Sequence, residues 1–518
     1  MTGGPPQARV VRAVLLAGLA VVAAAVVLGD PFATPDSDAA LRIPRSAVRV
    51  QVIGAPTSRQ VRPGFIGFSI EYWASQAYSG FDAAALNPTF IALVRGLTAG
   101  APPVIRFGGD TTDWTWWPTR GVSKPPGVHY TITPRWLAVT RASAIAMGAR
   151  LILGINFEAD RRAIARAEAR ALLRGIGRGL IAGFELGNEP EVYGTIGWYT
   201  NSSGVSVFGR RRDYGFRSFL RDYSTIASVL PRGVPLVGPA SGASPWLDGL
   251  NQYLAANPRV RIVTFHRYPL HRCHTNRRSP TYPTIPNLLS LDASIGPAKS
   301  LSAAVAVAHA HGLQFRADEL NSVSCGGARG VSNTFAAALW SLDALFHMAQ
   351  VGVDGVNIHT FANALYAPFA FSHPHGAWQA HVTPMYYGLL MFTRAAPPGS
   401  RLLSTYAPRS NGDTLRVWAT RGVKGTVRIV LINDSPTRAV TVAVRPPIAG
   451  ASATLERLVA PRLRATNGVT IAGQGFGAAT ATGVLPGTPS TVSLEPIQNR
   501  YLVTVAPGSV AMLSVPPS

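Results

Sequence analysis

Eight short apolar runs, each but the last followed by a longer segment, mostly of helical character, occupy residues 60–360, and this alternation restricts the possible folds more than any other feature. The runs are "GFIGFSIE" (64–71), "PVIRFGGD" (103–110), "RLILGINFE" (150–158), "IAGFELGNE" (181–189), "VPLVGPAS" (234–241), "RIVTFHRY" (261–268), "LQFRADELN" (313–321) and "GVNIHT" (355–360). Between them lie Ala-, Leu- and Arg-rich stretches at 82–98, 133–147, 160–179, 213–229, 297–311 and 332–350. Strand–helix units in that number predict an α/β chain folded as a (β/α)8 TIM barrel, whose catalytic groups project from the C-terminal strand ends. Each run begins apolar and nearly all end polar: Glu71, Asp110, Asn156 with Glu158, Asn188 with Glu189, Ser241, His266 with Tyr268, Glu319 with Asn321, and His359. Polar ends gathered from most strands converge on one barrel mouth, where an active site is expected.

Beyond residue 398 the texture changes. Alternating β-type runs such as "DTLRVWAT", "GTVRIVLIND" and "RYLVTVAPGSVAMLSV" are separated by turn residues, which predicts a C-terminal β-sandwich over 399–518. The barrel takes 61–398, and the run "SAVRVQVIG" within 46–60 is expected to add a strand to the sandwich. Residues 30–45 read as a linker. Arg9 and Arg12 precede a charge-free run from Ala13 to Gly29, so 1–29 reads as a signal peptide or membrane anchor. Arginines before the run and the bulk of the chain after it predict an extracytoplasmic body, secreted or tethered to a membrane through 13–29.

Hydrophobic residues make up 47% and charged ones 14%, too apolar for a disordered chain, while 51 glycines and 41 prolines interrupt it too often for a polytopic membrane protein. The net charge of +23 is almost all arginine, the lysines being Lys124, Lys299 and Lys424. That balance favours acidic partners, or is simply spread over solvated faces. No long basic helix or nucleic-acid motif accompanies it, so nucleic acid is not an expected partner. Arg210, Arg211, Arg212, Arg267, Arg272, Arg277 and Arg278 gather in loops on the catalytic side. There they either steer an acidic oligosaccharide or are ordinary solvated loop residues.

Two carboxylates stand out, Glu189 ending the fourth run and Glu319 ending the seventh. Retaining hydrolysis of a glycosidic bond uses two carboxyl groups about 5–5.5 Å apart, one attacking the anomeric carbon and the other protonating the leaving oxygen. Strands four and seven lie across the mouth of an eight-stranded barrel, so their separation in sequence is no obstacle. Asn188 is suited to hydrogen-bond the hydroxyl beside the anomeric carbon, and Pro190 is expected to hold Glu189 extended and stop the strand. The charge on Glu319 favours a protonated Glu189 as acid; esterifying Glu319 removes that charge and lets Glu189 act as base toward water.

Strict alternation puts Glu319 inward with Phe315 and Ala317, and Arg316 and Asp318 outward. The plainer roles are a helix N-terminal carboxylate for Glu189 and a surface charge for Glu319. We place Glu71, Asp110 and Tyr268 against the substrate and Arg106, His266 and His359 behind them; a buried charge network and local packing are the alternatives. Glu185 and Glu191 read as structural. Cys273 and Cys325 follow the sixth and seventh runs without metal-ligand spacing, so no metal is expected. They are either free buried thiols or a disulfide that clamps the loops flanking Glu319, a bond that contributes about 4 kcal/mol in the chain-entropy model.

The segments "GFSIEYW", "IRFGGDTTDW", "FELGNEPEVY", "FHRYPL", "DELNSVSCGG" and "VNIHTF" resemble the successive strand-end motifs of glycoside hydrolase family 79, the β-glucuronidase and heparanase-like enzymes of a retaining barrel clan. "RIVLINDSP" resembles the accessory domain of that family. The resemblance implies an exported retaining β-glycosidase that removes terminal β-glucuronosyl units from glycans without metal or organic cofactor, with Glu319 as nucleophile and Glu189 as acid/base. It also implies that Tyr366 and the backbone amides of Gly326 or Gly327 hold the uronate carboxylate; Ser324 stands where some relatives have a tyrosine. A neutral-sugar β-glycosidase, an endo-acting heparanase-like enzyme and a non-enzymatic surface carbohydrate-binding protein are the alternatives.

Overall fold

Parallel strands wrapped by helices are buried on both faces, so they read as continuous apolar runs. A computed structural model of the chain describes residues 42–273, 276–407, 414–448 and 450–517. The expected export segment 1–29 and nearly all of the linker 30–45 lie outside the described residues. Among the described residues no helix is long and apolar enough to cross a membrane.

After a first strand outside the barrel, β1 (Val48–Pro56), the eight runs form β2 (Ile66–Glu71), β3 (Val104–Gly108), β4 (Arg150–Ile155), β5 (Ile181–Leu186), β6 (Leu236–Ser241), β7 (Val260–Arg267), β8 (Gln314–Leu320) and β9 (Gly355–Thr360). They pair in parallel in chain order, and β9 returns to β2 to close the barrel. A helix follows each strand: α1 (Pro88–Gly96), α2 (Pro134–Met147), α3 (Arg162–Ile176), α4 (Phe216–Ala227), α5 (Leu250–Ala256), α6 (Leu291–Ala310), α7 (Phe335–Gln350) and α8 (Pro384–Ala395). Helices α1 and α2 start alike, with Asn87 or Thr133 accepting a backbone N–H and proline at the next position. Helix α6 begins before the expected 297, because the Ser290 side chain caps it and Pro297 lies inside it. The Ala293 carbonyl, deprived of its helical donor by that proline, accepts Trp340 Nε1 at 3.0 Å.

The barrel lumen is polar. Ser69, Arg106, Glu185, Thr264, Arg316, Asp318, Asn357 and His359 are all buried, and their polar groups bond one another across the strands. Strict alternation therefore assigns the seventh strand wrongly: Arg316 and Asp318 face inward, and Phe315 and Ala317 face the helices. A β-bulge explains how Glu319 joins them. Thr264 pairs with Arg316 but His266 with Glu319, and Ala317 pairs with Val356 but Leu320 with Ile358, so β8 carries one extra residue at this point.

The C-terminal region is one continuous sheet. Strands β10 (Arg401–Tyr406), β11 (Leu415–Arg421), β12 (Val427–Asn433), β13 (Val440–Arg445), β14 (Ala453–Val459), β15 (Tyr501–Val505) and β16 (Ser509–Val515) take the order β14-β16-β12-β11-β10-β1-β13-β15. Strand β1 sits between β10 and β13, antiparallel to the first and parallel to the second. The two ends of the sheet share a core of Val50, Val442, Val503, Ile429, Leu431 and Leu513, giving a two-layered body. Alternate residues Val430, Ile432, Val510 and Met512 belong instead to the barrel's core. Helices α7 and α8 are accordingly buried nearly all round, α7 save for Gln350 and α8 save for Arg394.

Candidate active site

The C-terminal strand ends surround a cavity of about 1030 Å³. Glu71, Asp110, Asn188, Glu189, His266, Tyr268, Glu319, Gly326, His359 and Tyr366 line it. Beneath its floor Arg106 is fully buried and joins four strand ends. It donates from Nη1 to Glu319 Oε2 and Ser69 Oγ, both at 2.9 Å, from Nη2 to Asn188 Oδ1 at 2.9 Å, and from Nε to Glu185 Oε2 at 2.6 Å.

Glu319 is surrounded by donors. Besides Arg106, Tyr268 OH donates to its Oε1 at 2.7 Å, and ring nitrogens of His359 and His266 lie 3.6 and 3.9 Å from Oε2. Burial alone would push its carboxyl upward, but His359, His266, Arg106 and the Tyr268 hydrogen bond together hold it well below the usual carboxylate range. Glu189 is the more open of the two, its side chain 30% exposed against 9% for Glu319. Its Oε1 lies 2.9 Å from His266 Nδ1. Burial opposes a charged His266, yet Glu319 and the bond to Glu189 outweigh it and raise the imidazole to about 9. One oxygen of Glu189, one of Glu319 and a ring nitrogen of His266 all fall within 4.8 Å of one another. Carboxyl groups so placed can attack an acetal carbon and protonate its leaving oxygen.

The backbone of Glu189 is not extended as expected. It is left-handed, at φ 46° and ψ 56°. Proline at 190 disfavours only the right-handed helical region for the residue before it, and here the surroundings select the left-handed well. Glu189 N–H donates to Ala240 O at 2.8 Å, while its carbonyl accepts Val192 N at 3.0 Å as Pro190 opens a 3-10 turn. The strain, about 1–3 kcal/mol, turns the side chain over the cavity.

Glu71 accepts Thr111 N at 3.0 Å and Thr111 Oγ1, and lies 3.4 Å from His359 Nε2. It packs on Gly109, where a Cβ would fall 2.2 Å from Glu71 Oε1. Asn188 Nδ2 donates to Asp110 Oδ1 at 3.1 Å. Burial, then the neighbouring charges of Glu71, Glu189 and Glu319, push Asp110 up to about 8. Tyr366 packs over Tyr268 and His359, with ring centroids 6.4 and 6.0 Å away. Gly326 borders the cavity, whereas Gly327 lies under the Tyr366 backbone and does not. A disulfide joins Cys273 to Cys325, and beside it Leu270–His271 pairs with Val323–Ser324.

Sequence reasoning missed several contributors. Asp318 is wholly buried, 3.2 Å from Arg106 Nε and 3.6 Å from His266 Nε2. Burial and then Glu185 push its carboxyl well up, against the opposing pull of Arg106 and His266. Asp113 ties three loops together: Oδ1 accepts Phe157 N and Glu158 N, and Oδ2 accepts Asn188 N and Tyr193 OH. A second acid three residues after Asp110 in "GGDTTDW" was the available signal. Of the seven loop arginines only Arg267 lines the cavity. Arg210 is packed among Phe157, Tyr193 and Tyr214 and ion-pairs with Asp160 and Asp222.

A closed parallel barrel that sets two carboxylates face to face at its strand ends is the working arrangement of glycoside hydrolases, and this chain is one of them. Over 439 residues, 75% of this chain and 75% of the relative, the sequence is 23% identical to the β-glucuronidase of Neurospora crassa. No family model matches. Among solved structures, the 4-O-α-L-rhamnosyl-β-D-glucuronidase of Fusarium oxysporum 12S is similar in fold, with a TM-score of 0.70 at 19% identity over 90% of this chain and 100% of that one. The family 51 arabinofuranosidase of Xanthomonas axonopodis pv. citri follows at TM-score 0.62 and 16% identity, over 90% and 99% of the two chains.

Proposed function

We propose that the chain is a retaining β-glycosidase of the family 79 type that releases terminal β-glucuronosyl units. The approach of Glu189 and Glu319 within 4.8 Å carries this reading. Glu319, kept ionised by Arg106, the Tyr268 hydroxyl and the two nearby imidazoles, attacks the anomeric carbon as the glycosidic C–O bond breaks, and the Glu189 proton passes to the leaving oxygen. Water then attacks the glycosyl ester, Glu189 takes its proton, and Glu319 departs as carboxylate. Asn188, held by Arg106 and Asp110, keeps one amide N–H for the neighbouring sugar hydroxyl. The Tyr366 hydroxyl and the Gly326 backbone would meet the uronate. The β-glucuronidase relative supports that sugar. An exported location belongs to the same reading and rests on the charge-free run Ala13–Gly29.

One observation favours a neutral sugar instead. The cavity wall carries Glu71, Asp110, Asp113, Glu158, Glu189, Glu191, Asp292 and Glu319 against the single guanidinium of Arg267 among the described residues. Hydrolysis of 4-nitrophenyl β-glucuronide and β-glucoside by wild type, Glu189→Gln and Glu319→Gln decides both matters. Loss of more than about a thousandfold in Glu319→Gln is expected, from losing the nucleophile. Added azide is expected to restore turnover to Glu189→Gln, because an anionic nucleophile needs no base. Wild-type rates in both variants would end the mechanism; faster glucoside cleavage would remove the uronate alone.

A further inference from the structure

The barrel's other end, where its strands begin, is strongly basic between β4 and β7. Arg150 opens β4, Arg178 precedes β5, Arg232 precedes β6, and Arg259 and Arg261 lie at the start of β7. The chain that forms this face, residues 141–150, 174–181, 228–236 and 257–262, contains no Asp or Glu. Backbone carbonyls bring the guanidinium groups together. Ile181 O accepts both Arg150 Nη2 at 3.1 Å and Arg178 Nη1 at 2.7 Å. Gly233 O accepts Arg178 Nε at 2.7 Å and Pro231 O accepts Arg259 Nη2 at 2.6 Å, with Arg232 between those two carbonyls in the chain. Arg141 Nη1 donates at 3.0 Å to Ile176 O, at the last residue of α3.

Arginines commonly serve to satisfy carbonyls where helices end. That role accounts for Arg141 and Arg259 but not for Arg174 and Arg232, which are exposed and have no hydrogen bond or ion pair among the described residues. Bonding a carbonyl also leaves the guanidinium charge in place, and none of these seven arginines ion-pairs with a carboxylate among the described residues. The crowding is unfavourable: burial lowers Arg259 from its ordinary value, and the charge of Arg232 adds to that. An anion at this face relieves it.

The cavity mouth is at the opposite end of the strands. Six-residue strands separate the two ends by about 20 Å, more than twice the Debye length of about 8 Å, so these charges do not steer a substrate into the cavity. One apolar side chain accompanies them. Ile145, 56% exposed, stands one turn beyond Arg141 on the same side of α2. Fixed cations around an exposed apolar residue suit an anionic lipid interface, where headgroups meet the guanidiniums and the acyl boundary takes Ile145. A soluble polyanion would leave Ile145 unused.

We propose that the strand-start end of the barrel between β4 and β7 docks on an anionic phospholipid surface, so that the cavity mouth faces away from the membrane. This holds whichever glycoside the cavity cleaves.

The test measures co-sedimentation of the full chain with vesicles of phosphatidylglycerol mixed with phosphatidylcholine, and with vesicles of phosphatidylcholine alone. The ratio of the two partition coefficients cancels whatever the charge-free run Ala13–Gly29 contributes to both. Each arginine near an anionic surface changes binding about fivefold, so Arg174→Gln combined with Arg232→Gln is expected to lower the ratio about thirtyfold. Neither substitution removes a hydrogen bond among the described residues. Arg135→Gln with Arg217→Gln takes the same charge from the mouth ends of α2 and α4 and is expected to change the ratio less than about twofold. An equal fall in that control, or a wild-type ratio of one, overturns the proposal. Binding to soluble polyphosphate through Arg174 and Arg232, without binding to the anionic vesicles, overturns it as well.

Discussion

Arg106 holds most of the site's charge in balance. Its guanidinium faces Glu185, Asp318 and Glu319 with no solvent access, and burial, which alone would weaken its charge, is overcome by those carboxylates. Removing one partner from such a cluster leaves buried charge uncompensated. Arg106→Met is expected to cost about 3–5 kcal/mol in denaturant unfolding, well beyond an ordinary core substitution. A loss below 1 kcal/mol would mean that the carboxylates protonate without penalty. At this scale the sequence was informative about identity and poor about pose. Glu189 and Glu319 announce themselves as strand-end acids, but the left-handed backbone at Glu189 arises from contacts with Ala240 and Val192, which no local pattern encodes.

At the scale of elements, the eight barrel strands were legible because burial on both faces leaves an uninterrupted apolar run. The bulge in β8 was not, since period-two alternation presumes one residue per rung, and the extra residue put both Asp318 and Glu319 in the lumen. Helix α8 went unread because it follows the last run, outside the intervals between runs where the helical stretches stand out. The loops after β7 and β8 are joined by Cys273–Cys325 across 52 residues. Replacing both cysteines by serine is expected to cost about 4 kcal/mol in the chain-entropy model, read as a lower denaturant midpoint. An unmoved midpoint would show that the pairing of Leu270–His271 with Val323–Ser324 secures these loops unaided.

Barrel and sheet form one body because each lacks a face without the other. Val430, Ile432, Val510 and Met512 share a core with the barrel, Trp418 stacks on Phe346 at 5.2 Å, and Ala465 and Leu463 carbonyls accept the first N–H groups of α7. The intact chain is therefore expected to melt in a single calorimetric transition, and a chain ended after residue 398 to aggregate rather than fold. Two separate transitions would contradict this. Strand β1 adds a constraint in time. Its neighbours in the sheet, β10 and β13, are made some 350 residues later, roughly 20–70 s at usual elongation rates. Until those strands exist the segment leading into the barrel has no sheet to join, so β1 can take its place only after the whole barrel has been synthesised.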